Sequence, residues 1–196
     1  CEQAHALDVN SQSTQVVALL QQAIDAAPQS ARAHLALADV YAQTGDTERA
    51  YGKLVQVASD VPNALPLIAA KLAQHAQNLH RVTDALGLLE ASYARTPSLQ
   101  AIVTLHKAQG DADANGWFAK HLEREPSLVA ATQWIAGEKL EHEQFHPQVQ
   151  RALERAAKPL QRYRCAACGF EASQHFWQCP GCQAWDSYPA RRVEEL

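Results

Sequence analysis

Four of the five cysteines stand in two Cys-x-x-Cys pairs, Cys165/Cys168 and Cys179/Cys182, with ten residues between the pairs. Four thiolates in two such pairs fit the tetrahedral all-sulfur shell of Zn²⁺, and equally that of a single iron. Each pair is expected to form a tight turn whose backbone N–H groups point at the sulfurs. Gly169 and Pro180-Gly181 supply residues suited to those turns. The alternative chemistry, two disulfides, belongs to oxidising compartments, whereas metal thiolates suit a reducing one such as the cytoplasm. A tail as short as 163–196 has too few residues for a core of its own, and structural zinc typically supplies roughly 10–16 kcal/mol in such segments. No nicotinamide- or flavin-binding fingerprint accompanies the site, so structural zinc is preferred over an iron that carries electrons. Phe170, Phe176, Trp177 and Trp185 are expected to pack around the metal and against the last helices.

A second string with metal-binding spelling is His142-Glu143-Gln144-Phe145-His146, literally H-E-x-x-H. In a zinc protease that string occupies one continuous helix, so both histidines meet one metal and the glutamate activates its water. Pro147 follows directly, and proline favours the first turn of a new helix. The string is therefore expected to straddle a turn. The other histidines (His5, His34, His75, His80, His106, His121 and His175) are scattered, and His175 lies between two pairs that already complete a shell. Nothing orders a triad, a phosphate loop or a carboxylate pair, so the chain reads as a binding protein and not an enzyme.

The elements that must carry this site are helical. Apolar residues make up 47% of the 196, and alanine is abundant. Pro28, Pro62 and Pro97 are spaced by 34 and 35 residues, a period that points to repeats. The best copy spans 31–64: Ala38 and Tyr41 late in a first helix, Gly45-Asp46 at the turn, Ala50, Leu54 and Val57 along a second helix, Pro62 closing it. Small residues let two helices cross closely, and glycine permits the left-handed turn that ends a helix. These positions match the tetratricopeptide pattern. A weaker copy in 1–30 carries Ala4, Leu7, Leu20, Ala23 and Pro28, with Asn10–Ser13 expected as its turn. Another in 65–99 carries Ala85, Leu89 and Pro97, with a turn at Asn78–His80 that also lacks glycine. A shortened copy follows with Gly110-Asp111, Ala114, Phe118 and Pro126, and the pair 129–142 and 147–158 reads as the capping hairpin. The expected fold is mainly α: a tetratricopeptide-repeat superhelix over 1–158, then a small β-rich zinc-ribbon domain over 163–196. The groove of such a superhelix is expected to hold a peptide or a partner helix.

Charge narrows the partners. Seventeen Lys and Arg against 21 Asp and Glu give a net charge of −4, and the cations form no run. A surface that tracks phosphates needs a basic cluster, so nucleic acid is not an expected partner. No stretch approaches the 18 apolar residues of a membrane span. The chain contains no methionine and opens on Cys1, which predicts a piece of a longer protein.

The run Tyr163-Arg164-Cys165, Cys168-Gly169-Phe170, Trp177, Cys179-Pro180, Cys182 and Ala184-Trp185, behind repeats reading "SARAHLALADVYAQTGDTERA" and "LEREP", resembles the lipopolysaccharide assembly protein B (LapB) family of Gram-negative bacteria. All four cysteines fall on that family's metal positions. The resemblance implies a rubredoxin-like domain packed on repeats, and a place on the cytoplasmic face of the inner membrane through an N-terminal anchor absent from this sequence. It implies a non-catalytic adaptor that promotes degradation of the lipid A pathway's committed-step deacetylase by the membrane protease FtsH. An inner-membrane lipopolysaccharide sensor opposes it, and a homodimer is compatible with it. The alternative is a metal- or redox-responsive regulator with a rubredoxin-type iron. Two departures weigh against that alternative: the short spacing between the pairs, and Gln183 where a glycine usually follows the second pair.

Overall fold

Alanine- and leucine-rich runs broken by Gly-Asp and proline fold as helix pairs, and the breaks fall where those residues stand. The computed structural model describes residues 9–95, 98–139 and 143–195. Cys1, Ala4, His5, Leu7, Pro97 and His142 lie outside the described residues. Nine α-helices are seen among those described: α1 Val9–Ala26, α2 Ala31–Gln43, α3 Thr47–Asp60, α4 Leu65–Asn78, α5 Val82–Ser92, α6 Leu99–Ala108, α7 Gly116–Leu122, α8 Leu128–Gly137 and α9 His146–Ala157. Two short strands, β1 Tyr163–Arg164 and β2 Glu171–Ala172, follow. The chain is thus mainly α with a small β module at its end, divided into two compact units, 1–109 and 110–196.

In the first unit each helix packs on the next, from α1 through α6, and α4 also meets α6. The best-matching copy shows why. Ser30 caps α2 through its side chain, which accepts the Ala33 N–H. After α2, Gly45 takes φ +82°, and the Asp46 carboxylate then accepts the Arg49 N–H at 3.0 Å to start α3. That amide, reinforced by the Arg49 side chain, holds the Asp46 carboxyl below its ordinary value. Ala38, Tyr41, Ala50, Leu54 and Val57 are all buried, so the small-residue crossing and the apolar stripe of α3 form as the pattern requires. Val61 and a 3₁₀ turn over Pro62–Ala64 lead into α4, where Ile68 and Leu72 continue the core; Ala85 and Leu89 of α5 are buried in the same way. His34 is buried too, and its Nε2–H donates to the Pro28 carbonyl at 2.9 Å, pinning the α1–α2 connection.

One expected turn is absent. Asn10–Ser13 lie inside α1, which runs unbroken to Ala26. Ser, Gln and Asn are mediocre helix formers, but none removes an N–H or demands a positive φ, so the helix continues through them. The turn after α4 lacks glycine yet keeps the glycine conformation: His80 adopts φ +56°, held by the Arg81 N–H on the Ala76 carbonyl at 2.8 Å. Opposite substitutions should therefore have opposite signs. A Cβ at Gly45 meets no atom within 4 Å, so Gly45→Ala carries only the left-handed conformational cost, a loss of about 1–2 kcal/mol. His80→Gly should gain about 1 kcal/mol, both read as shifts of the urea midpoint at constant slope.

In the second unit α8 packs on α7 and on α9. Ser127 caps α8 by accepting the Ala130 N–H at 2.9 Å, and the Glu194 carboxylate accepts the Val129 N–H at 3.1 Å. A 3₁₀ turn over Glu143–Phe145 precedes α9, whose first turn holds Pro147. The C-terminal segment returns to the α9–β1 connection: the Val193 N–H donates to the Arg162 carbonyl at 2.7 Å and the Glu194 N–H to the Leu160 carbonyl at 3.2 Å. The cysteine module therefore belongs to the same unit as α7, α8 and α9.

Candidate metal centre

The two cysteine pairs build the same turn twice, fourteen residues apart. β1 and β2 pair antiparallel, Tyr163 opposite Ala172 and Arg164 opposite Glu171, and bring the chain out at Cys165. In the first turn the Cys165 N–H donates to the Phe170 carbonyl and the Gly169 N–H to the Cys165 carbonyl, both at 2.9 Å. In the second the Cys179 N–H donates to the Ala184 carbonyl at 2.9 Å and the Gln183 N–H to the Cys179 carbonyl at 2.8 Å. Gly169 takes φ +76° and Gln183 φ +61°. The missing glycine of the second turn is thus replaced by a residue forced into its conformation. Gln183→Gly should stabilise the module by about 1 kcal/mol, and Gly169→Ala should destabilise it by about 1–2 kcal/mol, measured as the free thiol or metal-release midpoint in urea.

The four Sγ atoms lie within 4.8 Å of one another. Across the two turns, Cys165 and Cys182 are separated by 3.8 Å and Cys168 and Cys179 by 3.7 Å. A tetrahedron with metal–sulfur bonds of about 2.3 Å has edges of about 3.8 Å, so these two edges suit a thiolate-bound cation. Cys165 and Cys179 are buried and Cys168 and Cys182 exposed. Without a cation the set cannot ionise evenly. Cys165 is lowered to about 6, chiefly by its hydrogen bond with the Ser187 hydroxyl. Cys168 is pushed up to about 12: the Phe170 amide pulls it down, but hydrogen bonding with Cys182, burial and the other two sulfurs outweigh that pull. Four crowded sulfurs that can be only partly ionised alone are a donor set for a positive ion.

The packing around the sulfurs differs from the expectation. Phe170 and Trp185 remain 45% and 44% exposed. Phe170 nevertheless crosses to the second turn: a Cβ at Gly181 would stand 3.1 Å from its ring, which explains the small residue there. Of the four expected aromatics, Phe176 and Trp177 do join the ring cluster, Phe176 against Tyr188 at 6.1 Å and Trp177 against His175, together with buried Tyr163 and Tyr188. The His175 ring meets Trp177 at 4.7 Å, Tyr163 at 5.7 Å and Tyr188 at 6.1 Å, all edge-on. Its Nε2–H donates to the Tyr188 carbonyl at 3.2 Å, and burial holds its pKa below the ordinary value. His175 is therefore a neutral packing residue. The Tyr188 hydroxyl donates to the Phe170 carbonyl at 3.1 Å, and burial followed by the nearby Cys179 pushes it up to about 12. Ser187 and Tyr188 had no motif to mark them; the signal was their place directly after the second turn.

The H-E-x-x-H string does not lie in one helix: Glu143–Phe145 form a 3₁₀ turn and α9 begins at His146. The His146 Nε2–H donates to the Ile135 carbonyl at 3.1 Å, a structural bond across α8 and α9. No helix among the described residues is long and apolar enough to cross a membrane.

Fold and site together define a tetratricopeptide-repeat protein with a C-terminal metal-binding module. Residues 12–75 match the family model described as tetratricopeptide repeat, and residues 163–188 match the one described as rubredoxin metal binding domain, in its LapB zinc-ribbon form. A 36-residue segment is 47% identical to lipopolysaccharide assembly protein B of Escherichia coli K12, and equally to those of the O157:H7 and O6:H1 strains. The likeness to the LapB family rests on that zinc ribbon, carried behind tetratricopeptide repeats. The segment covers 18% of this chain and 9% of the length of each of those relatives.

Proposed function

We propose that the chain is a non-catalytic adaptor of lipopolysaccharide assembly whose C-terminal module, held by one metal ion on Cys165, Cys168, Cys179 and Cys182, completes a protein-binding surface. The observation that carries this reading is the LapB-type module itself, tied through Glu194 to the N-terminus of α8, so that metal and helices share one unit. The metal is Zn²⁺: two all-cysteine turns of the zinc-ribbon kind, with neutral His175 outside the shell, form a closed structural site. Functionally the repeats occupy 1–158 and the metal domain 163–196. The repeats bind a client or its protease, and by likeness to lipopolysaccharide assembly protein B the pair are the lipid A pathway deacetylase and FtsH, at the cytoplasmic face of the inner membrane. An inner-membrane lipopolysaccharide sensor opposes this action.

Affinity capture from a Gram-negative membrane extract tests it. The chain should retain the deacetylase or FtsH, and its Cys165→Ser/Cys168→Ser variant should not. Equal retention by both would reduce the metal to support for the helices. Retention of neither by the parent would remove the adaptor surface from this chain.

A second reading has one observation in its favour: Cys168 and Cys182 are exposed, so half of the shell is open to oxidants. A redox- or metal-responsive regulator, with iron in the rubredoxin manner, would be coloured as purified and would lose its metal to mild peroxide. A colourless, peroxide-resistant protein rules it out.

A further inference from the structure

Ser187 is held between the two cysteine turns by both of its polar ends. Its carbonyl accepts the Ala166 N–H, inside the first turn, at 2.7 Å. Its hydroxyl stands 3.2 Å from the Ala184 carbonyl at the end of the second turn, and 3.2 Å from the Cys165 sulfur. The residue is half-buried and its backbone is fixed, so these two acceptors are the ones the protein sets beside its hydroxyl.

Of the two, the Cys165 sulfur is the acceptor that a filled metal site favours. A thiolate ligand has no proton to give and carries charge, and a charged acceptor outcompetes a neutral carbonyl at equal distance. We propose that Ser187 is a positioning residue for the metal, its hydroxyl donating to the Cys165 thiolate in preference to the Ala184 carbonyl when a metal is bound. This rests on the reading of the four cysteines as a metal shell. The buried half of the shell then has a donor on each sulfur: Ser187 on Cys165, and the Gly181 N–H, 3.4 Å away, on Cys179. A hydrogen bond withdraws electron density from a sulfur, so Cys165 donates less to the metal than it would without the serine. The serine also orients Cys165 toward the metal, as outer-shell partners generally do for their ligands.

Cobalt(II) substitution reads this directly, because its sulfur-to-metal charge-transfer bands report electron density on the thiolates. The parent, Ser187→Ala and Ser187→Thr are each titrated with Co²⁺ and then with Zn²⁺ in competition. The parent should take one tetrahedral Co²⁺. In Ser187→Ala the charge-transfer edge should move to longer wavelength, and both metals should bind about tenfold more weakly. Ser187→Thr, which keeps the hydroxyl, should retain the parent's band and affinity. An unchanged band and affinity in Ser187→Ala overturn the proposal, leaving the hydroxyl on Ala184. Equal losses in the alanine and threonine variants also overturn it, because the role is then one of shape. A parent that takes up no tetrahedral Co²⁺ overturns the metal reading itself.

Discussion

Cys179→Ser should empty the metal site and unfold residues 163–188. Cys179 is buried, with 1% of its surface exposed, and its sulfur is within 3.7 Å of Cys168. Serine offers no soft thiolate, and three sulfurs cannot close a tetrahedral shell. What is left cannot hold the module. Its sheet is two strands of two residues, and its buried aromatic support is little more than Tyr163 and Tyr188 around His175. Zinc contributes roughly 10–16 kcal/mol of apparent folding energy in sites of this kind, more than the stability of most whole domains. Trypsin should then cut at Arg162, Arg164, Arg191 and Arg192, and the near-ultraviolet signal of Trp177 and Trp185 should collapse. A chelator should produce the same state in the parent, reversibly on adding zinc. Acidification should do so too: the ligands must be thiolates, so metal affinity falls as the pH is lowered. A Cys179→Ser protein that keeps the parent's protease resistance would show that the module folds without its ion.

Leu54→Ala should have the second largest effect, in the other unit. Leu54 is fully buried on α3, which packs against both α2 and α4. Removing three carbons there leaves a cavity that Ala38, Ala50 and Val57, also buried, cannot fill. Such truncations cost about 2–5 kcal/mol. In a unit of this size that lowers the melting temperature by about 10–20 °C, measured by calorimetry. Ser59→Ala, on the exposed side of the same helix, should stay within about 0.5 kcal/mol of the parent. Metal content should be unchanged in both variants, because the cysteines lie in the other compact unit.

The contrast between these two sites explains what could be read from the sequence. Repeat positions such as Ala38, Ala50 and Leu54 are set by local periodicity, and two Cys-x-x-Cys turns are set by local spacing, so both were legible. The turn misplaced at Asn10–Ser13 shows the limit: a run of polar residues permits a turn, but only a glycine or proline enforces one. His80 and Gln183 show the converse. Both lack the glycine their turns ask for, and both keep its conformation because hydrogen bonds on either side determine the backbone. The hydroxyl of Ser187 was not legible, because it meets Cys165 only after 22 residues of chain have folded back. The exposure of Phe170 and Trp185 escaped for a related reason. Composition favours burying aromatics, but the aromatic contact beside Cys179 is the Tyr188 hydroxyl, and Tyr163, His175 and Tyr188 pack on one another.

Whether four cysteine sulfurs hold one metal ion is tested most directly by metal-edge X-ray absorption of the purified chain, with metal content measured on the same sample. One ion per chain with four sulfur neighbours at about 2.3 Å is expected, and no ion in the Cys165→Ser/Cys168→Ser variant. A chain that binds no metal, or an ion whose shell contains nitrogen or oxygen in place of any of the four sulfurs, would contradict it.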